Sequence, residues 1–171
     1  MEKQPIINSY TRIILGILLF TIICCCVGVG YFGYLSYQSL LPLENAEIEI
    51  NLPPVVTLGE DVDFTVTIIN TSTESITLNS INIAEEIVNG IQIGDSIPIF
   101  ELRDHYELIG IPMDMFLFNE LILVDESLTI KFDSKAVKVG DFTGQMFICI
   151  DNTTNCEIKL LRTVVEEEIL D

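Results

Sequence analysis

His105 is the single histidine of the 171 residues, so any Ser/His or Cys/His nucleophile would have to be activated through it. It stands in Arg103-Asp104-His105-Tyr106, a charged stretch that reads as a partly exposed loop. No serine occupies a nucleophile elbow, and neither a phosphate-cradling glycine loop nor a histidine-rich metal motif is present. Carboxylates are abundant instead. Glu60, Asp61 and Asp63 cluster before an alternating run, while Asp125, Glu126, Asp133, Asp141 and Asp151 lie near turn-like stretches. Ca²⁺ is a hard ion that takes about six to eight oxygen ligands, and loops gathered at one end of a sheet structure are able to supply them. Asp61, Asp63, Asp125 and Asp151 are the candidate ligands. Their spacing matches no EF-hand loop, and solvated charge accounts for the same residues. A glycosidase pair lacks any sign of a sugar cleft. The census points away from an enzyme, and Ca²⁺ is the only cofactor it leaves open.

Cys149 and Cys156 flank Ile150-Asp151-Asn152-Thr153-Thr154-Asn155, a polar turn between two strand-like runs, and so face each other across a hairpin. A disulfide there suits an oxidising compartment. Two free thiols are the alternative, since spacing alone does not fix geometry. Cys24, Cys25 and Cys26 lie in an apolar run, where a thiol packs as a small apolar group. Cys24 with Gly28, and Cys26 with Gly30, have the small-xxx-small spacing of self-associating spans, although a lipid-facing anchor needs no such contact. Asn70-Thr71-Ser72 and Asn152-Thr153-Thr154 fit the N-glycosylation pattern in predicted turns, making Asn70 and Asn152 acceptors in a host that has the machinery.

The element that fixes where this chemistry sits is the apolar segment itself. Between Arg12 and Glu44 there is no charged residue, and Ile13 to Tyr34 reads IILGILLFTIICCCVGVGYFGY. As a helix this run covers about 33 Å, against about 30 Å of bilayer hydrocarbon. A buried helix of a soluble domain is rarely apolar on every side for so long. One transmembrane helix is therefore expected over residues 13–35, extending to 41, with Pro42 as its stop. Lys3 and Arg12 precede it and Glu44, Glu47 and Glu49 follow, which places residues 1–12 in the cytoplasm and the rest outside. Tyr31, Tyr34 and Tyr37 mark the outer interface. Cleavage near Gly28-Val29-Gly30 would make the segment a signal peptide, but the apolar run continues past that point. Thr21-Ile22-Ile23-Cys24 lacks the small residue expected before a lipidated cysteine.

Of the 26 acidic residues only Glu2 precedes the span, whereas Lys3 and Arg12 are two of just eight basic ones. The outer part is strongly acidic. Nucleic acid is excluded as a partner for want of a basic patch, close contact with anionic headgroups is disfavoured, and the charge serves solubility.

Outside the span, apolar residues alternate with polar ones. Ile48, Ile50 and Leu52 do so first, followed by Val62, Phe64, Val66 and Ile68 against Asp63, Thr65 and Thr67. Ile76, Leu78, Ile81 and Ile83 continue the pattern with an offset at Asn79-Ser80, and Leu128, Ile130 and Phe132, Phe142 to Ile150, and Cys156 to Val165 complete it. Residues 85–120 hold Asn89-Gly90, Gly94-Asp95, Pro98, Gly110 and Pro112, and read as loops with one or two short strands. Within them Met113-Asp114-Met115-Phe116-Leu117-Phe118 is either a sticky loop or core. Seven or so short strands, with no amphipathic helix beyond the anchor, predict an all-β, antiparallel, Ig-like sandwich over residues 42–165, with an acidic tail at 166–171.

Leu58-Gly59-Glu60 followed by Phe64-Thr65-Val66-Thr67-Ile68-Ile69-Asn70-Thr71 resembles the second strand of prokaryotic cell-surface Ig-like domains of the CARDB type. Val124-Asp125-Glu126-Ser127-Leu128-Thr129-Ile130-Lys131-Phe132 is similar to a later strand of such domains, with Asp125 where a turn glycine is usual. The resemblance implies an adhesive, spacer or assembly role and transfers no catalytic residue. The expected protein is a single-pass, membrane-anchored extracytoplasmic module that binds a protein partner in a cell-envelope assembly. Its edge strands and the 85–120 segment are the expected contact surfaces. The alternative is a cation- or ligand-binding accessory domain of a membrane sensor or transporter complex.

Overall fold

The computed structural model describes residues 25, 26, 43–108 and 110–167. The expected membrane span, its extension to Pro42 and the last four residues of the acidic tail lie outside these, apart from Cys25 and Cys26. Among the described residues no helix is long and apolar enough to cross a membrane.

The chain from Ala46 to Glu166 forms β1 (Ala46–Asn51), β2 (Val55–Thr57), β3 (Phe64–Asn70), β4 (Ile76–Ala84), a short helix α1 (Glu85–Gly90), β5 (Ile91–Ile97), β6 (Leu102–Leu108), β7 (Ile111–Ile122), β8 (Ser127–Ala136), β9 (Gly140–Ile150) and β10 (Cys156–Glu166). These strands make a four-stranded sheet in the order β1-β3-β8-β5 and a six-stranded sheet in the order β2-β10-β9-β4-β7-β6. Alternation decides which side chains face inward. In β3, Phe64, Val66, Ile68 and Asn70 are buried while Thr65, Thr67 and Ile69 are half-exposed, and β8 repeats this through Ile130, Phe132, Ser134 and Ala136. The two inner faces meet around Phe132, whose ring centroid lies 5.1 Å from Phe64, 5.4 Å from Phe116 and 6.4 Å from Phe118.

The pairings Ala46↔Asn70, Ile76↔Ile122 and Leu78↔Ile150 gather the entry of β1 and the β3–β4, β7–β8 and β9–β10 turns at one end. The opposite end carries the 58–63 segment, α1 and the β8–β9 turn. There Gly59 N–H donates to the Ala136 carbonyl and Val137 N–H to the Gly90 carbonyl.

Three expectations are corrected. Residues 85–120 are not mainly loop, since they hold α1, β5, β6 and most of the 12-residue β7. The breaker residues lie where a ladder tolerates them: Gly94 sits in an irregularity between Ile93 and Ser96, and Pro112 is the second residue of β7. Among the described residues the strands number ten, not seven or so, and the sheets are not wholly antiparallel, because β2 pairs with β10 in parallel. His105 lies in edge strand β6 rather than in a loop. The offset expected at Asn79-Ser80 is present, with the register of β4 shifting between Leu78 and Ser80 against both neighbours. Phe116 and Phe118 of the apolar 113–118 run are core.

Candidate functional site

The four carboxylates expected to gather around a cation do not converge. Asp125 and Asp151 occupy turns at the entry end, with φ of 60° and 64°. This left-handed conformation is one that Asp adopts more readily than most residues. Asp151 is engaged structurally, its Oδ1 accepting from Thr77 N–H at 2.8 Å and its Oδ2 from Asn45 Nδ2 at 3.4 Å. Asp61 and Asp63 lie at the other end, where they join Asp95 and Asp133 around an open cleft of about 570 Å³. Asp63 Oδ2 accepts from Asn51 Nδ2 at 3.2 Å, and its Oδ1 is 3.7 Å from Lys131 Nζ. Among the described residues no group of three or more His, Cys, Asp or Glu side chains is arranged to hold a metal ion.

A denser polar cluster lies on the β6–β7 hairpin, where the register sets Arg103 opposite Phe116 and His105 opposite Asp114. Asp114 is buried. Arg103 Nη2 donates to its Oδ2 at 3.0 Å, Nη1 donates to the Ile93 carbonyl of β5 at 2.8 Å, and the guanidinium lies 5.1 Å from the Phe116 ring centroid. One side chain of the large sheet thus caps the edge of the small sheet and closes the open side of the sandwich. His105 Nδ1 is 3.2 Å from Asp114 Oδ1 and Nε2 is 4.0 Å from Glu85 Oε2, so a carboxylate faces each ring nitrogen. This arrangement orients and clasps. Arg103→Ala should lower the free energy of unfolding by about 2 kcal/mol. That is less than for a fully buried pair, because the Arg103 side chain is 37% exposed and His105 still faces Asp114. Urea titration of Arg103→Ala, Asp114→Asn and the double variant measures the coupling, and additive losses would argue against a clasp.

Cys149 and Cys156 are direct cross-strand partners on β9 and β10 and form a disulfide. Their separation of seven residues closes a short loop, so Cys149→Ser/Cys156→Ser should cost about 2.5 kcal/mol by loop entropy. Thermal melts with and without reductant check this, and the variant should be insensitive to reductant. The two sequons part company. Asn152 is exposed in the β9–β10 turn, its Oδ1 accepting from Thr154 and Asn155 N–H groups. Asn70 is 1% exposed, and its Nδ2 donates to the carbonyls of Glu74, Ile122 and Leu123, which removes it as an acceptor in the folded protein. Produced in a glycosylating host, the protein should carry a glycan at Asn152 and none at Asn70, as peptide mass spectrometry would report.

Sequence reasoning did not find the Arg103–Asp114 pair or Asp95, and it placed Asp133 only among the turn carboxylates and not beside Asp61 and Asp63. The one signal for the pair was an aspartate inside the otherwise apolar 113–118 run.

No protein-family model matches the chain, and no curated protein sequence does. Solved structures resemble it at low identity. AvmM, which catalyses macrocyclisation in alchivemycin A biosynthesis, has a TM-score of 0.49 at 11% identity, over 75% of this chain and 92% of its own. A cohesin module of a family 33 glycoside hydrolase from Clostridium perfringens gives 0.42 at 12%, over 72% and 98%. A CARDB domain from Pyrococcus furiosus, in complex with di-metal ions, gives 0.39 at 13%, over 75% and 95%. At these scores none carries an argument about activity, ligand or partner. The strand order by itself defines the class as an Ig-like β-sandwich of two sheets.

Proposed function

We propose that this protein is a CARDB-like module held by a single membrane span and displayed outside the cytoplasm, where it binds a protein partner in a cell-envelope assembly. The observation that carries this reading is the Cys149–Cys156 bridge, which belongs to an oxidising compartment. The uncharged stretch between Arg12 and Glu44, with its basic residues on one side and acidic residues on the other, supports the same topology. Mild cross-linking in native membranes, followed by non-reducing mass spectrometry, tests it. An intact N-terminus, a closed bridge and a specific cross-linked partner are expected. A processed N-terminus with free thiols would overturn the anchored module.

The second reading is an accessory domain that takes a cation or small ligand, for which the open cleft at Asp61, Asp63, Asp95 and Asp133 is the place, although these carboxylates form no ready-made cation cage. Calorimetric titration with Ca²⁺ separates the two, and a protein that shows neither heat nor a change in melting temperature is not a cation-binding domain.

A further inference from the structure

Register sorts the residues of the large sheet into two faces. One set of rows is core, as in Phe116–Ile81–Ile148. The interleaved rows read Leu102–Leu117–Ser80–Cys149–Cys156 and Asp104–Met115–Asn82–Phe147–Ile158 across β6, β7, β4, β9 and β10. Residues opposite one another share a face, so these rows point away from the small sheet. Asp104 is their only charge. Leu102 is 49% exposed, and Leu160, in the next row of β10, is 73% exposed. Ser80 and Asn82, the short side chains of β4 in these rows, are only 1% and 3% exposed. The outer face of the small sheet has the opposite character, with Glu47, Glu49, Lys131, Asp133 and Lys135 exposed.

We infer that the outer face of the large sheet is the contact between two copies of this chain. The charge distribution selects that occupant. A protein with a formal charge of −18 repels its own kind wherever carboxylates are displayed, and this nearly uncharged face is where a second copy approaches at least cost. A basic partner finds no cluster of carboxylates on it. A flat sheet packs on another such sheet about 10 Å away, and a two-fold axis through β4 presents each copy with the same rows. Five strands about 4.8 Å apart and roughly seven residues long cover about 550 Å² per copy, near the lower limit for a stable interface. A dimer of modest affinity follows. This inference goes beyond the anchored-module reading and does not depend on it.

Sedimentation equilibrium of the full-length chain in density-matched detergent, over micromolar concentrations, tests the inference. A monomer–dimer equilibrium is expected, with Leu102→Glu and Leu160→Glu each raising the dissociation constant by about tenfold or more, because each sets a charge in the contact. Both leucines are exposed, so the variants should keep the parent melting temperature. Thr129→Glu, on the outer face of the small sheet, should leave the equilibrium unchanged. A monomer at every concentration overturns the inference. So does a dimer weakened equally by Thr129→Glu, or one that Leu160→Glu spares and Gly28→Leu, within the apolar N-terminal run, abolishes.

Discussion

Phe132→Ala should lower the free energy of unfolding by about 4 kcal/mol, the upper part of the range for aromatic-to-alanine truncations in a core. Phe132 comes from β8 in the small sheet and is 1% exposed. Its ring touches Phe64 on the neighbouring β3, and also Phe116 and Phe118 of β7 in the opposite sheet. Removing it therefore opens a void that neither sheet can fill alone, because each partner ring is held by its own strand ladder. The change also loosens Phe116, over which Arg103 is stacked, so part of the clasp on the open side goes with it. Phe132→Leu keeps most of the volume and should lose about 1.5 kcal/mol. Guanidinium titrations with unchanged slope would read these values directly. A loss below about 1 kcal/mol for Phe132→Ala would mean that the two sheets are not joined through this ring.

The parts of the sandwich legible in the sequence are those where one face is apolar and the other polar. Val62 to Ile68 and Leu128 to Phe132 alternate in this way, because Thr65, Thr67, Thr129 and Lys131 look outward from the small sheet. β7 gave no such signal for a physical reason. Phe116 and Phe118 face the core while Met115 and Leu117 face outward beside Leu102 and Phe147, so both faces are apolar and the period of two disappears. The same feature that hid the strand creates the uncharged outer face. The candidate carboxylates failed for another reason. Local spacing shows that Asp61 and Asp63, or Asp125, flank a strand, but only strand direction shows at which end. β3 leads away from Asp63 toward Asn70, and it is the Asn70 end that receives the turn containing Asp125. The cysteine pair was legible because a short hairpin turn brings its two flanking residues together with no long-range information.

Asn70 stands in the sequence as a turn residue and a sugar acceptor, yet the packing makes it the polar pin of the entry end. Its Nδ2 donates to the Glu74 carbonyl at 2.9 Å and to the Ile122 and Leu123 carbonyls at 3.1 Å each, while its Oδ1 accepts from Ser72 N–H at 2.9 Å and Oγ at 2.8 Å. The β3–β4 turn, in the chain linking small sheet to large, is thus tied to the end of β7 by one buried amide. Asn70→Ala should cost about 3 kcal/mol, because it removes the donor to the buried Ile122 carbonyl and the acceptor of Ser72 N–H, whereas the Glu74 and Leu123 carbonyls keep bonds from Ser72 Oγ and Glu126 N–H. Asn70→Asp is the discriminating change. It keeps shape and volume but replaces the amide donor with an acceptor aimed at three carbonyls, so it should destabilise at least as much as alanine at neutral pH. If the aspartate variant were instead as stable as the parent, packing rather than donation would hold this end together. Amide hydrogen exchange localises the effect, with protection expected to fall first at Ser72 and Asn70, whose N–H groups bond within this knot.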